Sequence, residues 1–408
     1  MAVSAIRQLE RDKAVFGRVE PPCPYFGSCG GCALQDLLYA DQLALKRRWL
    51  IDTFAPLGDL PEIELIGLDD PWRYRNKAEF SFGETDGRLT LGYHAPNSFW
   101  RVIDLEDCLL MPEPAMRVVR GLRDVAAETQ LPAYQPRTHR GFYRYAIIRY
   151  SQSTGAMLIC VVTASGSREV IAKIAETLTE QFPEVSSVYW GRTDRLADVA
   201  VPEELVLMVG TPYLEEQLGS FRLLLDPASF LQSATVQANR MYARLCDFLD
   251  LGGAASGVAW DLYCGIGLIG FYLSKRFRKV YGIDSEPRNI ELARLNAARN
   301  GIENIEFCLG QVESVLQDRR RWLQAAKPDL IIVDPPRAGI HPRALPSLQA
   351  ARPKHLAYIS CNMQSLVRDL AALFSGYPRY RLRLIQAFDM FPQTRHVETL
   401  VLLERKSS

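Results

Sequence analysis

Two residues near the carboxyl end of the chain could together carry out covalent catalysis. Cys361 follows the apolar run HLAYIS, and Glu398 lies two residues after His396 in the stretch DMFPQTRHVE. A thiolate can add to an electron-poor carbon, and a carboxylate can afterwards accept a proton from the adduct. A single cysteine at the end of a strand is more often an inert buried thiol, so the interpretation depends on its surroundings.

A nucleotide-like ligand is expected at the same place. The stretch DLYCGIGLIG places Gly265 and two further glycines between an apolar run and a helix, which is the spacing by which a backbone approaches a nucleotide. Asp284 ends the next apolar run, where a carboxylate can bind ribose hydroxyls, and both NAD and S-adenosylmethionine carry such a ribose. Asp334 begins the motif DPPRAG, whose two prolines predict a rigid lip at the sheet edge where ligands bind.

Three cysteines near the start of the chain are spaced like metal ligands. Cys23, Cys29 and Cys32 follow the pattern C-x5-C-x2-C, and the two glycines before Cys32 allow the tight fold that would bring the sulfurs together. Nine cysteines spread over a long chain fit poorly with a disulfide framework. Zinc and a [4Fe-4S] cluster both accept four thiolates, so the spacing leaves the metal open and requires a fourth ligand.

Three regions with different residue patterns must position these side chains. Residues 1–70 carry the cysteines and one amphipathic helix within LQDLLYADQLALKRRWLIDTF. Residues 71–232 consist of short alternating runs with turns such as Asp86-Gly87, which is typical of a β-rich, mainly antiparallel domain. Residues 233–408 alternate strand-like runs with helical stretches, and this pattern predicts an α/β, Rossmann-like, doubly wound sheet.

Composition sets few limits on the partner. The 408 residues are 48% apolar and carry a formal net charge of +1, so attraction to a nucleic acid would have to come from local patches. One candidate patch is residues 137–150, RTHRGFYRYAIIRY, which interleaves arginines with tyrosines. No apolar run is long enough for a bilayer and the first residues lack a signal-peptide pattern, so we expect a cytoplasmic protein with no membrane partner. We also expect a monomer.

The motifs DLYCGIG, DPPRAG, SCN and DMFPxTxHxE resemble, in order and spacing, those of the uracil-C5 RNA methyltransferases, which form 5-methyluridine with S-adenosylmethionine. The resemblance covers nearly the whole chain from Cys23 on. It implies that the Rossmann-like domain is a methyltransferase domain and that RNA is the partner. The cofactor-binding residues that it implies are Gln232, Tyr263, Gly265, Asp284, Gln311 and Asp334.

The resemblance also implies a role for each reactive residue. Cys361 would add to C6 of uracil, and Glu398 would remove the C5 proton after methyl transfer. Several members of the family carry a [4Fe-4S] cluster on three such cysteines and a later one, and Cys108 matches the later position. The cluster would attach the N-terminal segment to the central domain. The cysteines favour a uridine of 23S ribosomal RNA as the substrate, with the T-loop uridine of transfer RNA as the alternative.

Two other classes of protein stay open on the sequence. An RNA-binding iron–sulfur protein that has lost catalysis would keep the fold, but intact Cys361 and Glu398 argue against it. An amino-group methyltransferase would need no cysteine nucleophile, and Arg337 after the two prolines fits that class badly.

Overall fold

The N-terminal region forms two helices and a short strand. The computed structural model describes residues 2–249, 256–318, 327–375 and 380–406. The first elements are α1 (Ala2–Lys13), α2 (Tyr39–Phe54) and β1 (Ile63–Ile66). Helix α2 begins later than the sequence predicts, because the backbone N–H of Leu34 donates to the carbonyl oxygen of Gln393 instead of starting a helix.

A seven-stranded sheet forms the middle of the molecule. Its strands follow the order β4-β3-β2-β5-β6-β7-β8, and every neighbouring pair is antiparallel except β6 and β7. The predicted hairpin at Asp86-Gly87 is confirmed, since both residues have positive φ and join two paired strands. The elements of this region are β2 (Lys77–Thr85), β3 (Arg88–His94), β4 (Val102–Asp104), α3 (Glu113–Glu128), β5 (Tyr143–Tyr150), β6 (Met157–Thr163), α4 (Arg168–Gln181), β7 (Val185–Arg192), β8 (Glu204–Gly210), β9 (Leu214–Leu218) and β10 (Phe221–Leu225).

The rest of the chain forms an α/β sheet, as predicted. Its elements are α5 (Thr235–Phe248), β11 (Val258–Leu262), α6 (Leu268–Ser274), β12 (Lys279–Asp284), α7 (Pro287–Arg299), β13 (Ile305–Leu309), α8 (Val312–Gln317), β14 (Leu330–Val333), α9 (Leu345–Ala351), β15 (His355–Ser360), α10 (Met363–Ser375), β16 (Tyr380–Phe388) and β17 (Glu398–Arg405). The eight strands follow the order β1-β16-β17-β15-β14-β11-β12-β13.

Most of this sheet is parallel. The five strand-like runs of the sequence form β11 to β15, which pair in parallel. Strands β16 and β17 pair antiparallel, and β1 adds in parallel outside β16 as the edge strand. Strands β11 and β14 are buried along their whole length, as expected for parallel strands covered on both faces. Within the described ranges, no helix is both long enough and apolar enough to cross a bilayer.

The topology collects the predicted site residues at one edge of this sheet. Parallel strands end at the same edge, and the antiparallel β17 begins there. Five of the site residues stand at or just after the carboxyl ends of β11 to β15, and the sixth begins β17. These residues are Tyr263, Asp284, Gln311, Asp334, Cys361 and Glu398.

Candidate active site

Cys361 and Glu398 lie at the end of two paired strands. Ser360 is the register partner of Thr399, so the next residue on each side, Cys361 and Glu398, meet at the end of the ladder. Cys361 is partly buried and lines a cavity of about 500 Å³ together with Arg337 and His396. The structure therefore brings the predicted nucleophile and the predicted base together.

Arg337 balances the electrostatics of this pair. Burial raises the pKa of the Cys361 thiol, and the negative charge of Glu398 raises it further, whereas a hydrogen bond and the charge of Arg337 lower it. Burial also raises the pKa of Glu398 well above its usual range; the charge of Asp334 adds to this effect and Arg337 opposes it. The guanidinium of Arg337 is thus the group that favours the anionic form of both reactive side chains.

His396 is a neutral part of the cavity wall. Burial lowers its pKa to about 4, and the nearby positive charges of Arg337 and Arg395 act in the same direction. At neutral pH the imidazole therefore carries no charge that could compete with Arg337.

The glycine-rich turn holds Asp284 in place. The backbone N–H of Gly265 donates to Oδ2 of Asp284 at 2.9 Å, and the other carboxylate oxygen accepts from the N–H of Glu286 at 2.9 Å. Gly265 has φ 53°, and Tyr263 before it is also left-handed at 64°, so the turn is tight. Two predicted cofactor residues, Gly265 and Asp284, are therefore in direct contact.

Two further acidic groups lie beneath this turn. Burial raises the pKa of Asp334 to about 7 and that of Asp261 to about 8. One oxygen of Asp261 accepts from the N–H of Gly270 at 2.8 Å, whereas the other is buried and has no donor within the described residues. Tyr242 of α5 is buried where the charges of Asp334, Glu398 and Asp261 all act on it.

Asp261 and Tyr242 are not among the site residues that the sequence motifs predict. Asp261 stands in the DLYCGIG motif and could have been found there. No local signal marks Tyr242, because the packing of α5 alone places it near the acids.

The two predicted glutamines have different surroundings. Gln232 is buried; its backbone carbonyl accepts from Nδ2 of Asn76, and its side-chain Oε1 meets no donor from the described residues. Gln311 is exposed and precedes α8; the N–H of its neighbour Gly310 donates to the carbonyl of Asp284 at 2.9 Å. Gln311 is thus close to Asp284, whereas no described hydrogen bond joins Gln232 to the other predicted cofactor residues.

These groups fit a cationic nucleoside cofactor. S-adenosylmethionine carries a sulfonium and an ammonium, and buried acids with raised pKa are stabilised as anions when a cation binds beside them. The unpartnered buried oxygens of Gln232 and Asp261 are acceptors that a ligand could satisfy.

Comparisons with known proteins agree with this geometry. The family model for tRNA (uracil-5-)-methyltransferase matches residues 207–406. An uncharacterized RNA methyltransferase of Halalkalibacterium halodurans is 32% identical over 98% of this chain and 87% of its own. The chain belongs to the tRNA (uracil-5-)-methyltransferase family. An uncharacterized RNA methyltransferase of Listeria monocytogenes is similar at 35% identity over 95% of this chain and 84% of its own.

A solved structure shows the same fold. The crystal structure of Pyrococcus abyssi tRNA (uracil-54, C5)-methyltransferase in complex with S-adenosyl-L-homocysteine superposes with a TM-score of 0.74 and 27% identity. The match covers 92% of this chain and 86% of that chain. The predicted enzyme class, an S-adenosylmethionine-dependent RNA (uracil-C5)-methyltransferase, is confirmed.

The four cysteines predicted as ligands meet in this methyltransferase, but a metal site is not confirmed. Cys23, Cys29, Cys32 and Cys108 line one cavity, and all nine cysteines of the chain are free thiols. Across the described residues, no group of three or more His, Cys, Asp or Glu side chains is arranged as metal ligands. The prediction of an iron–sulfur segment is therefore not confirmed: the four cysteines line one cavity, but their side chains are not arranged as metal ligands.

A positive charge accompanies these thiols. Burial raises the pKa of Cys29 to about 11 and that of Cys32 to about 12, and the charge of Arg75 opposes the shift at both. Nη1 of Arg75 contacts the Tyr93 hydroxyl at 3.4 Å, and no carboxylate in the described part of the chain pairs with this guanidinium. An anionic metal–thiolate group would supply the missing negative charge.

The prediction that residues 137–150 present arginine and tyrosine to RNA is wrong for the strand part of that segment. Strand β5 lies inside the seven-stranded sheet and is buried on both faces from Tyr143 to Arg149, with Tyr150 half-buried. Arg144 donates to the carbonyl oxygen of Arg195 at 2.7 Å, and Arg149 is 1% exposed. Alternation of polar and apolar residues does not distinguish a strand with one solvent-exposed face from a strand that is covered on both faces. The preceding residues Arg137 and Arg140 are exposed.

Proposed function

We propose that this enzyme methylates C5 of a uridine in RNA through a covalent adduct with Cys361. The observation that carries the proposal is the meeting of Cys361 and Glu398 at the end of one strand pair, with Arg337 acting on both. This edge of the sheet also carries Asp284 and Asp334, so a methyl donor bound there would face the thiol.

The residues supply each step that the pyrimidine ring needs. The Cys361 thiolate, favoured by Arg337, bonds to C6, and the electron pair of the C5–C6 double bond makes C5 nucleophilic. S-adenosylmethionine, when bound, would supply the methyl group to C5, and its sulfonium would leave as the neutral thioether of S-adenosylhomocysteine. Glu398 then takes the proton from C5, the double bond re-forms and the thiolate leaves. Glu398 acts in its ionised form, which Arg337 favours, and its raised pKa strengthens that carboxylate as a proton acceptor; the proton is finally released to solvent.

The cofactor is assigned to the turn beside this site. Asp284, held by the Gly265 amide, would accept from the ribose hydroxyls. Asp334 would face the cationic part, and Gln232 would offer its free amide oxygen. Tyr263 and Gln311, at the ends of neighbouring strands, would flank the nucleoside.

Two substitutions test the covalent step. Cys361→Ala should abolish turnover because the nucleophile is lost, and Glu398→Gln should accumulate a covalent protein–RNA adduct that migrates slowly on a denaturing gel. Cys308→Ala, on the far edge strand β13, and Glu404→Gln, on β17 itself, are the matched controls and should turn over normally. Release of methylated RNA at the normal rate by Cys361→Ala or Glu398→Gln would refute the assignment.

The proposed substrate is a uridine of 23S ribosomal RNA, on the strength of the four converging cysteines. A transfer RNA uridine is the second candidate, because the Pyrococcus abyssi enzyme with the matching fold acts on uracil 54 of tRNA. Mass mapping of 5-methyluridine in ribosomal and transfer RNA from cells with and without the gene distinguishes them. Loss of the modification from transfer RNA alone would overturn the ribosomal assignment.

We also propose that Cys23, Cys29, Cys32 and Cys108 hold a [4Fe-4S] cluster. The shared cavity and the guanidinium of Arg75, which has no carboxylate partner in the described ranges, support an anionic group there. Protein purified without oxygen should be brown and contain iron and acid-labile sulfide. Colourless protein that contains zinc and no iron would contradict the proposal.

A further inference from the structure

Two aromatic side chains project from the loop between β3 and β4. Phe99 is 55% exposed and Trp100 is 46% exposed. Their rings meet edge to face, with centroids 4.8 Å apart and an interplanar angle of 88°. Single exposed apolar residues are common on proteins, but two adjacent large rings held in a fixed arrangement indicate a binding surface.

One arginine contacts both rings, and two more lie in the same loops. The guanidinium carbon of Arg137 lies 4.0 Å from the Trp100 ring centroid and 6.0 Å from that of Phe99, which is a cation–π arrangement. Arg101 and Arg140 are exposed in the same two loops. None of the three arginines forms an ion pair with a carboxylate of the described residues.

The two loops themselves are positively charged, but Arg101 also lines a cavity that contains the carboxylates of Asp104 and Glu106. The loop sequences HAPNSFWR and YQPRTHRG contain no acidic residue. Asp198 lines the adjoining cavity, where its carboxylate accepts from the Tyr145 hydroxyl. Rings beside arginines that lack carboxylate partners match an anionic, aromatic partner such as unpaired RNA better than an apolar protein surface.

The loop is connected to the reactive cavity through residues 23–34, which carry three of the cysteines and are called the cysteine segment here. The N–H of Gly30 donates to the carbonyl of His94, where the loop begins, at 3.0 Å. The N–H of Ala33 donates to the carbonyl of Gln393 at 2.9 Å, and His396 three residues later lines the cavity with Cys361. These backbone hydrogen bonds join the loop to the segment that lines the reactive cavity.

We propose that Phe99, Trp100, Arg101, Arg137 and Arg140, together the Trp100 patch, form a second RNA-binding surface outside the reactive cavity. A base of the substrate other than the target uridine stacks on Trp100, and Arg101 and Arg140 bind neighbouring phosphates. Arg137 holds the indole ring in position. The inference rests on the proposed RNA substrate and adds where that RNA is held.

The test measures binding of a fluorescent single-stranded oligouridine by anisotropy over a range of salt concentrations. Trp100→Ala should weaken binding by about tenfold, since a stacked base is lost, and should leave the salt dependence unchanged. Trp100→Phe should restore binding to within about twofold, because a phenyl ring can still stack. Replacing both Arg101 and Arg140 by Gln should reduce the slope of log K against log salt by about 0.7 for each phosphate that the protein no longer neutralises.

Leu295→Ala and Arg278→Gln are the matched controls. Leu295 is an exposed apolar residue of α7, and Arg278 is exposed directly before β12, at the end of the eight-stranded sheet opposite the reactive residues. Methyl transfer to RNA from cells lacking the gene is measured in parallel. Weaker RNA binding by Trp100→Ala supports the patch whether or not the wild-type protein transfers a methyl group. Absence of methyl transfer by the wild type would contradict the proposed function alone. Normal methyl transfer by the wild type, with RNA affinity and KM unchanged in Trp100→Ala, would overturn the patch alone. Loss of self-association in place of RNA affinity would also overturn it.

Discussion

At the residue scale, the reactivity of Cys361 depends on two neighbours of opposite charge. Glu398 raises the pKa of the thiol and Arg337 lowers it, so the two side chains act on the thiolate in opposite directions. Neither effect requires bound RNA. The thiol can therefore be examined in the protein alone.

Substituting the two neighbours should shift the alkylation of Cys361 in opposite directions. Arg337→Gln removes the charge that favours the thiolate, so the midpoint of the pH profile should rise by about one pH unit; Glu398→Gln should lower it. The measurement is the rate of iodoacetamide labelling of the Cys361 peptide, followed by mass spectrometry. Labelling of the Cys308 peptide serves as the internal control. Shifts of the same sign in both variants would contradict the arrangement.

Asp334 should make cofactor binding depend on pH. Its pKa is raised to about 7, so between pH 6 and 8 the side chain passes from mostly neutral to mostly ionised. A cationic ligand prefers the ionised form, so the Kd for S-adenosylmethionine should fall by about tenfold over this range. S-adenosylhomocysteine, which lacks the sulfonium, and the variant Asp334→Asn should show a flatter profile by calorimetry. Equal pH dependence for both ligands would argue against a contact with the sulfonium.

At the element scale, helix α2 holds the segment that leads to the base. Nζ of Lys46 pairs with Oδ1 of Asp389 at 2.7 Å, and both side chains are 0% exposed. Gln42 and Gln393 exchange two hydrogen bonds, of 2.9 and 3.1 Å, four residues further along this segment. Helix α2 therefore fixes the position of the segment before β17, the strand whose first residue is Glu398.

Removing one partner of the buried ion pair should destabilise the fold strongly. Lys46→Met leaves Asp389 buried without its cation, and a cost of about 3–5 kcal/mol is expected in urea unfolding followed by circular dichroism. The double variant Lys46→Met with Asp389→Asn should recover much of this loss, because no charge is left unpaired. Arg47→Met on the same helix should have a smaller effect. A double variant no more stable than Lys46→Met would show that the charge balance is not what matters.

The sequence predicts those features of the fold and the site that depend on the local pattern of apolar residues and on short motifs. The apolar runs of β11 to β15, and the order of motifs after them, placed Cys361 and Asp334 at one edge of a sheet. Lys46 lies in a helix whose basic residues look like a solvated face, and its burial depends on Asp389, 343 residues away. The burial of Arg144 and the position of Tyr242 likewise follow from packing between distant segments, which a single sequence does not encode in any periodic pattern.

At the scale of the whole molecule, the cysteine segment joins the central sheet to the reactive edge. Ala33 and Leu34, directly after Cys32, both donate their backbone N–H to the carbonyl of Gln393, at 2.9 and 3.0 Å. On the other side, Gly30 bonds to the end of β3. Any group bound by the cysteines would therefore stabilise the segment that carries His396 and Glu398.

Loss of a cysteine should then affect catalysis without affecting cofactor binding. Cys32→Ser should lower kcat by on the order of 100-fold, because small displacements of a base reduce rates strongly. The Kd for S-adenosylmethionine should be unchanged, and hydrogen exchange should increase in residues 389–398. Cys308→Ser is the control. Equal loss of cofactor binding would indicate general unfolding and contradict this connection.

The position of β1 has a consequence for how the protein is made. Strand β1 leaves the ribosome early, but its partner β16 ends at Phe388, which is synthesised more than three hundred residues later. Until β16 has been synthesised, β1 has no strand to pair with, and the face of α2 that is buried in the folded protein lacks the later segments that it packs against. The sheet therefore cannot be completed before β16 and β17 have been synthesised, and partly folded states that expose unpaired strand edges are prone to aggregation.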